Sequence, residues 1–183
     1  MARNFKTQLA GKIGEHLVVA ELGRLGIVAT PFAGNVPDID ILAYKDGKSV
    51  PIQVKAQTTG TPGVDAKKYL NIHIDGNRQT VKGKAKDIDR DLIFVLVKVG
   101  QDYGEDEFYV FDQGVVQDLV NTEYRRFLRK HGGVRPRNPK TTHCSYYLKD
   151  LVDYRDNWDL VLGRLDDKKT VDKCDGDCEG VGD

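Results

Sequence analysis

The residues best suited to chemistry lie in two short runs. Asp38-Ile39-Asp40-Ile41-Leu42-Ala43-Tyr44 is followed, across Lys45-Asp46-Gly47-Lys48, by Val50-Pro51-Ile52-Gln53-Val54-Lys55-Ala56-Gln57. Both runs alternate as half-buried strands do, and Asp46-Gly47 is a short-range hairpin signal. On period-two geometry Asp38 and Asp40 share one face of the first strand, and Gln53, Lys55 and Gln57 share one face of the second. Carboxylates, an amide oxygen and an ammonium gathered on one ribbon serve no core. They suit a divalent cation with a phosphate beside it.

An N-terminal helix must position a further acid. Thr7 to Gly26 carries Leu9, Ile13, Leu17, Val18, Leu22 and Leu25 at helical spacing, and Gly26 supplies a stop. Glu15 has Val18, Val19 and Leu22 as its i+3, i+4 and i+7 neighbours, so it projects from the apolar stripe. A carboxylate there is paired, hydrogen-bonded or metal-bound, because burying an isolated one is costly. The alternative is an acid at the stripe's edge that reaches water or Lys12.

Gly11-Lys12-Ile13-Gly14-Glu15, Val36-Pro37-Asp38-Ile39-Asp40-Ile41-Leu42-Ala43 and Ile52-Gln53-Val54-Lys55 together resemble the PD-(D/E)XK nuclease superfamily. This restriction-endonuclease-like group includes archaeal-type Holliday-junction resolvases and many small endonucleases. The resemblance implies that Glu15 is the helix acid that helps hold a metal, and that Asp40 is the direct metal ligand heading the second strand. Asp38 completes a literal "PD" and is a second acid or a backbone contact. Gln53 stands at the acidic position of the (D/E)xK signature, Lys55 is its lysine, and the Val54 carbonyl joins the metal shell. Gln57 lies two residues further on the same face, placed to contact the DNA backbone or the attacking water.

Gln53 departs from the usual pattern, since an amide brings a neutral oxygen where the superfamily usually has a charge. That weakens metal affinity and favours one Mg²⁺ or Mn²⁺ over two. The implied activity is metal-dependent hydrolysis of DNA phosphodiester bonds, in an enzyme that cuts as a homodimer. A nuclease-fold module without catalysis, binding nucleic acid or a protein partner, is the alternative that Gln53 supports. For Lys55 the alternative is an ordinary surface lysine on a strand.

Composition sets the outer limits. The chain has 183 residues with 28 basic and 28 acidic side chains, so its net charge shows no bias toward nucleic acid. Distribution says more. Arg125, Arg126, Arg129, Lys130, Arg135, Arg137 and Lys140 fall in one stretch without an acid, and Arg78, Lys82, Lys84 and Lys86 form a second cluster. Arg125, Arg129, Arg135, Arg137 and Lys140 are the candidate nucleic-acid contacts, against the alternative of a solvated basic loop. No apolar run is long enough to span a bilayer, and the first residues lack a secretory pattern, so the expected setting is cytoplasmic. Cys144 stands alone, and Cys174-x3-Cys178 is too few ligands for zinc. No phosphate-binding glycine loop appears, and no organic cofactor is expected.

The rest of the pattern predicts an α/β domain over residues 1–165, with a central mixed β-sheet flanked by helices, and an acidic, disordered tail over 166–183. Tyr69 to Ile74 alternates as a third strand. Leu92 to Val97 is a continuous apolar run, expected at the sheet centre, and Glu107 to Phe111 pairs with it. Val115 to Lys130 is helical and ends at Gly132-Gly133. Val134 to Cys144 reads as an exposed loop, and Ser145 through Leu162 as a final helix. The first helix is expected on one sheet face and the later helices on the other.

Overall fold

A computed structural model describes residues 3–32 and 37–166. Its centre is a five-stranded mixed sheet in the order β1 (Val28–Pro31), β2 (Ile41–Lys45), β3 (Lys48–Gln57), β7 (Ile93–Lys98), β8 (Glu107–Asp112). The first three strands run antiparallel, β3 pairs parallel with β7, and β7 pairs antiparallel with β8. The expected hairpin is β2–β3, turning at Asp46 and Gly47, both at positive φ. The apolar run is β7, buried on both faces between β3 and β8. β1 had no clear signal in the sequence: it is four residues long and half exposed.

Helix α1 (Arg3–Arg24) packs on one face of the sheet, and α2 (Gln113–Lys130) lies on the other. The last helix, α3 (Asp159–Asp166), departs from expectation. Val161 and Leu165 join the α1 face, so the later helices divide between the two sides. Nor does one helix run from Ser145 to Leu162. That segment holds β9 (His143–Ser145), a 3-10 turn (Leu148–Tyr154) and α3, separated at Asp156 with φ +51. Tyr146 and Leu151 fill the α2-side core while Trp158 packs on Phe108, so the chain changes faces midway.

The expected third strand is β5 (Leu70–Asp75), but it does not join the central sheet. It pairs with β6 (Arg78–Lys84) as a separate ribbon whose Leu70 and Val81 sit in the α2-side core. A short ribbon of β4 (Gly63–Asp65) with β9 closes the same side. The 134–144 segment is largely exposed, as expected, but it is anchored to the body. Val134 bridges to Arg78, the Gln79 amide donates to the carbonyls of Pro139 and Thr141, and Thr142 and Cys144 are buried.

The buried seam of α1 differs from the expected stripe by one position around the helix. Ala10, Gly14, Val18 and Leu22 are buried, whereas Leu9, Ile13 and Leu25 are exposed. The reason is close approach: a methyl on Gly14 would overlap the Ala56 methyl and stand 3.6 Å from the Val97 Cβ. Small residues let the helix settle onto β3 and β7. Phe5, Leu9 and Ile13 are consequently left as an apolar line on the outer side. Among the described residues no helix is long and apolar enough to cross a membrane. The acidic tail from Asp167 on, with Cys174 and Cys178, lies outside the described residues.

Candidate functional site

Asp40 stands where β2 begins. Its N–H donates to the Ile52 carbonyl at 3.0 Å, and its carbonyl accepts from Phe32 N–H at 2.9 Å. Its carboxylate reaches along β3, where Oδ2 accepts the Val54 N–H at 2.7 Å. β3 residues alternate in the partner they address. The Gln57 carbonyl faces β7, accepting from Val99, while Ile52 and Val54 face the β2 side. A strand residue's N–H and C=O point the same way, so the Val54 carbonyl points into the notch that β2 leaves open.

Glu15 comes to this notch from α1. Its side chain is 13% exposed and forms an ion pair with Lys12 at 2.6 Å, the local pairing that was the alternative reading. It is also near enough to act on Asp40. Burial pushes the Asp40 carboxyl above the ordinary aspartate range, the Val54 N–H pulls it back, and the Glu15 charge raises it again. Lys12 and Lys68 oppose that rise. Asp40 therefore feels a carboxylate from α1, offset by the ammonium groups of Lys12 and Lys68.

Side chains on β3 alternate as the sequence requires. Ile52, Val54 and Ala56 face the α1-side core. Gln53 faces the other way, and its Oε1 accepts from Gln113 Nε2 at 3.3 Å. Gln113 is buried in the first turn of α2, and its amide also hydrogen-bonds the Tyr69 hydroxyl. Burial, helped by the Asp38 charge, pushes Tyr69 up to about 12, so the phenol stays protonated. Lys55 follows Val54 on the Gln53 face and is exposed. Gln57 donates to the Gly60 carbonyl at 3.4 Å, a contact that shapes the following loop.

Asp38 is not on the strand. It precedes β2, takes a left-handed φ of +64, and pairs with Lys68 at 2.5 Å. Period-two alternation does not extend back to it, so Asp38 and Asp40 do not share a strand face. Gln113 and Tyr69 were missed by sequence reasoning. The available signal was a pair of glutamines, Gln113 and Gln117, one turn apart on the apolar side of α2 and buried.

Among the described residues no three His, Cys, Asp or Glu side chains gather closely enough to hold a metal. Two carboxylates, Asp40 and Glu15, interact instead, beside the Val54 backbone, while the Gln53 side chain turns to the α2 face and meets Gln113. That set fits an ion that keeps several waters and takes only one or two protein carboxylates. Cys144 is free and buried, and burial pushes its thiol up to about 11, which removes it as a nucleophile.

The basic segment divides around α2. Arg125 is bound to Asn121 at 2.8 Å and, with Arg78 and Arg129, borders a groove of about 400 Å³. Arg135 stacks on Phe127 and Tyr124, while Arg137 and Lys140 are exposed. Among the described residues, Arg125, Arg129, Lys130, Arg135, Arg137 and Lys140 have no carboxylate partner; Arg126 pairs with Glu123.

No family model matches the sequence, and no curated protein matches it. Among solved structures the chain is similar to a bacterial homing endonuclease, I-Ssp6803I, at 17% identity and a TM-score of 0.46, over 86% of this chain and 94% of that one.

Proposed function

We propose that this chain is a metal-dependent endodeoxyribonuclease of the PD-(D/E)XK type, hydrolysing DNA phosphodiester bonds with one Mg²⁺ or Mn²⁺. The observation that carries the reading is the Asp40 carboxylate, held by the Val54 N–H at the end of the β2–β3 ladder and coupled to Glu15. Two like charges at a half-buried notch are unfavourable alone and favourable around a cation.

In this reading Asp40, Glu15, the Gln53 side-chain oxygen and the Val54 carbonyl hold the ion. When bound, such an ion polarises a phosphoryl oxygen and lowers the pKa of a water. Asp40 must be ionised to take part, and the Val54 N–H favours that form. Lys12 balances the Glu15 charge. Lys55, on the Gln53 face, neutralises charge that develops on the phosphate, a role suited to a compact ammonium. Gln113 fixes the orientation of the Gln53 amide, because its N–H₂ can only meet the oxygen. The unpaired Arg125, Arg129, Arg137 and Lys140 along α2 and the following loop supply contacts to the DNA backbone.

A homodimer would bring two such sites to one duplex, and the exposed Phe5, Leu9 and Ile13 line of α1 is the surface it would bury. A reducing, cytoplasmic setting suits the free Cys144 thiol. We read residues 1–165 as one domain.

One observation favours the second reading, a non-catalytic module that binds nucleic acid or a protein partner. The Gln53 oxygen is already satisfied inside the protein by Gln113. Calorimetric titration of Mn²⁺ into wild type and Asp40→Asn separates the two. Binding that the mutant loses supports the hydrolase, and absence of binding in both proteins supports the module.

A further inference from the structure

A cleft of about 480 Å³ opens between the C-terminal half of α2 and β9. Its size lies within the range of roughly 300–1,000 Å³ found for small-ligand sites. Arg126, Lys130 and Arg135 line it together with the Tyr147 ring, and its one acid, Glu123, is taken up by Arg126.

Arg135 distinguishes this cleft from an ordinary basic surface. Its guanidinium carbon lies 4.7 Å from the Phe127 ring centre and 5.4 Å from that of Tyr124, and it hydrogen-bonds the Tyr124 hydroxyl. The backbone beside it is anchored as well, through the Val134 bridge to Arg78. A guanidinium stacked in this way is half-buried and cannot swing outward to meet a convex duplex. The phosphate must come to it. A duplex is too broad to enter a cleft of this volume, whereas one nucleotide of an unpaired strand is not. Tyr147, 41% exposed at the rim, offers a ring on which a base can stack.

We propose that this cleft binds a single unpaired nucleotide of a nucleic-acid strand, with its phosphate on Arg135 and Lys130 and its base against Tyr147. The proposal rests on the reading of the protein as a DNA-binding one, but not on hydrolysis. It adds single-stranded character to the substrate: a flap, a gap, an overhang or a junction strand, rather than a fully paired duplex.

The test is fluorescence anisotropy on the full chain in EDTA, using a short fluorescein-labelled oligothymidylate and the same strand paired with its complement. Arg135→Met and Tyr147→Ala are each expected to weaken single-strand binding about tenfold while duplex affinity changes less than about twofold. Circular dichroism checks folding. If Arg135→Met unfolds, the rim residue Tyr147 decides the outcome, since its ring is not part of the core. Equal losses on both probes, or no loss in folded Tyr147→Ala, overturn the proposal. Because EDTA suppresses hydrolysis, failure of the nuclease reading shows separately, in nicking assays.

Discussion

Gly14→Ala tests the contact that brings Glu15 to Asp40. On an isolated helix the substitution would stabilise by about 1 kcal/mol, because glycine is a poor helix former. Here the added methyl would meet the Ala56 Cβ well inside the 3.0 Å that such atoms keep, with the Ala56 Cα and Val97 Cβ 3.6 Å behind it. Ala56 is held in the β3–β7 ladder opposite Val97, so the helix must move. Overpacking costs about 1–3 kcal/mol, and a contact this close belongs at the upper end. The net effect is a loss of about 2 kcal/mol, or roughly 4–8 °C in Tm for a chain of this size. Urea denaturation and thermal melts measure it. Ala56→Gly removes the obstructing methyl at a cost of about 0.5–1 kcal/mol on its own. The double variant should return to within about 1 kcal/mol of wild type, a coupling of about 3 kcal/mol, the whole overpacking cost. A Gly14→Ala protein more stable than wild type, or a strictly additive double variant, would refute the close-approach account.

Four further outcomes follow from the same geometry. Asp40→Asn keeps an acceptor for the Val54 N–H but removes a carboxylate whose pKa is raised by burial, so Mn²⁺ affinity should be lost without loss of fold. The sign is definite: a raised acid favours folding fully below its unfolded value near 3.8, and that contribution fades as pH rises through the folded value. The Tm of Asp40→Asn relative to wild type should therefore be higher at pH 7 than at pH 3, and a difference that does not vary with pH would contradict it. Lys55→Ala should reduce plasmid nicking by at least about tenfold while leaving duplex affinity close to wild type; unchanged nicking removes Lys55 from the chemistry. Neutralising the exposed Arg129 and Arg137 together should lower the slope of log K against log salt by about 2, and an unaltered slope would return both to the solvated surface. Leu9→Glu with Ile13→Glu should convert a dimer to a monomer in sedimentation velocity, and identical profiles for mutant and wild type would exclude that face.

The parts of the fold that were legible in the sequence are those where one physical signal acts alone. β7 was readable because a strand buried on both faces has no polar position. The β2–β3 hairpin was readable because Asp-Gly suits a turn with both residues at positive φ. The misreadings have equally specific causes. The seam of α1 is built from Ala10 and Gly14, which carry no hydrophobic signal, so the larger Leu9 and Ile13 point to the wrong face. Asp38 fitted the alternation on paper, but aspartate tolerates the left-handed conformation, and the strand begins after it. β6 went unread because its outer positions are exposed and basic. For the site itself, alternation alone could place Gln53 and Lys55 on one face. The convergence of Glu15 with Asp40 needed the resemblance, and Gln113 needed the coordinates.

The Val54 amide has a wider consequence. It would have been paired by β2 had that strand begun a little earlier; instead an aspartate side chain stands in for the missing neighbour. The length of β2 is thus a control on the site, and a substitution that zipped the ladder further toward residue 38 would seal the notch while making the sheet more regular. Truncating Asp40 to alanine would both orphan the amide and delete the charge. Asparagine is the replacement that separates architecture from chemistry.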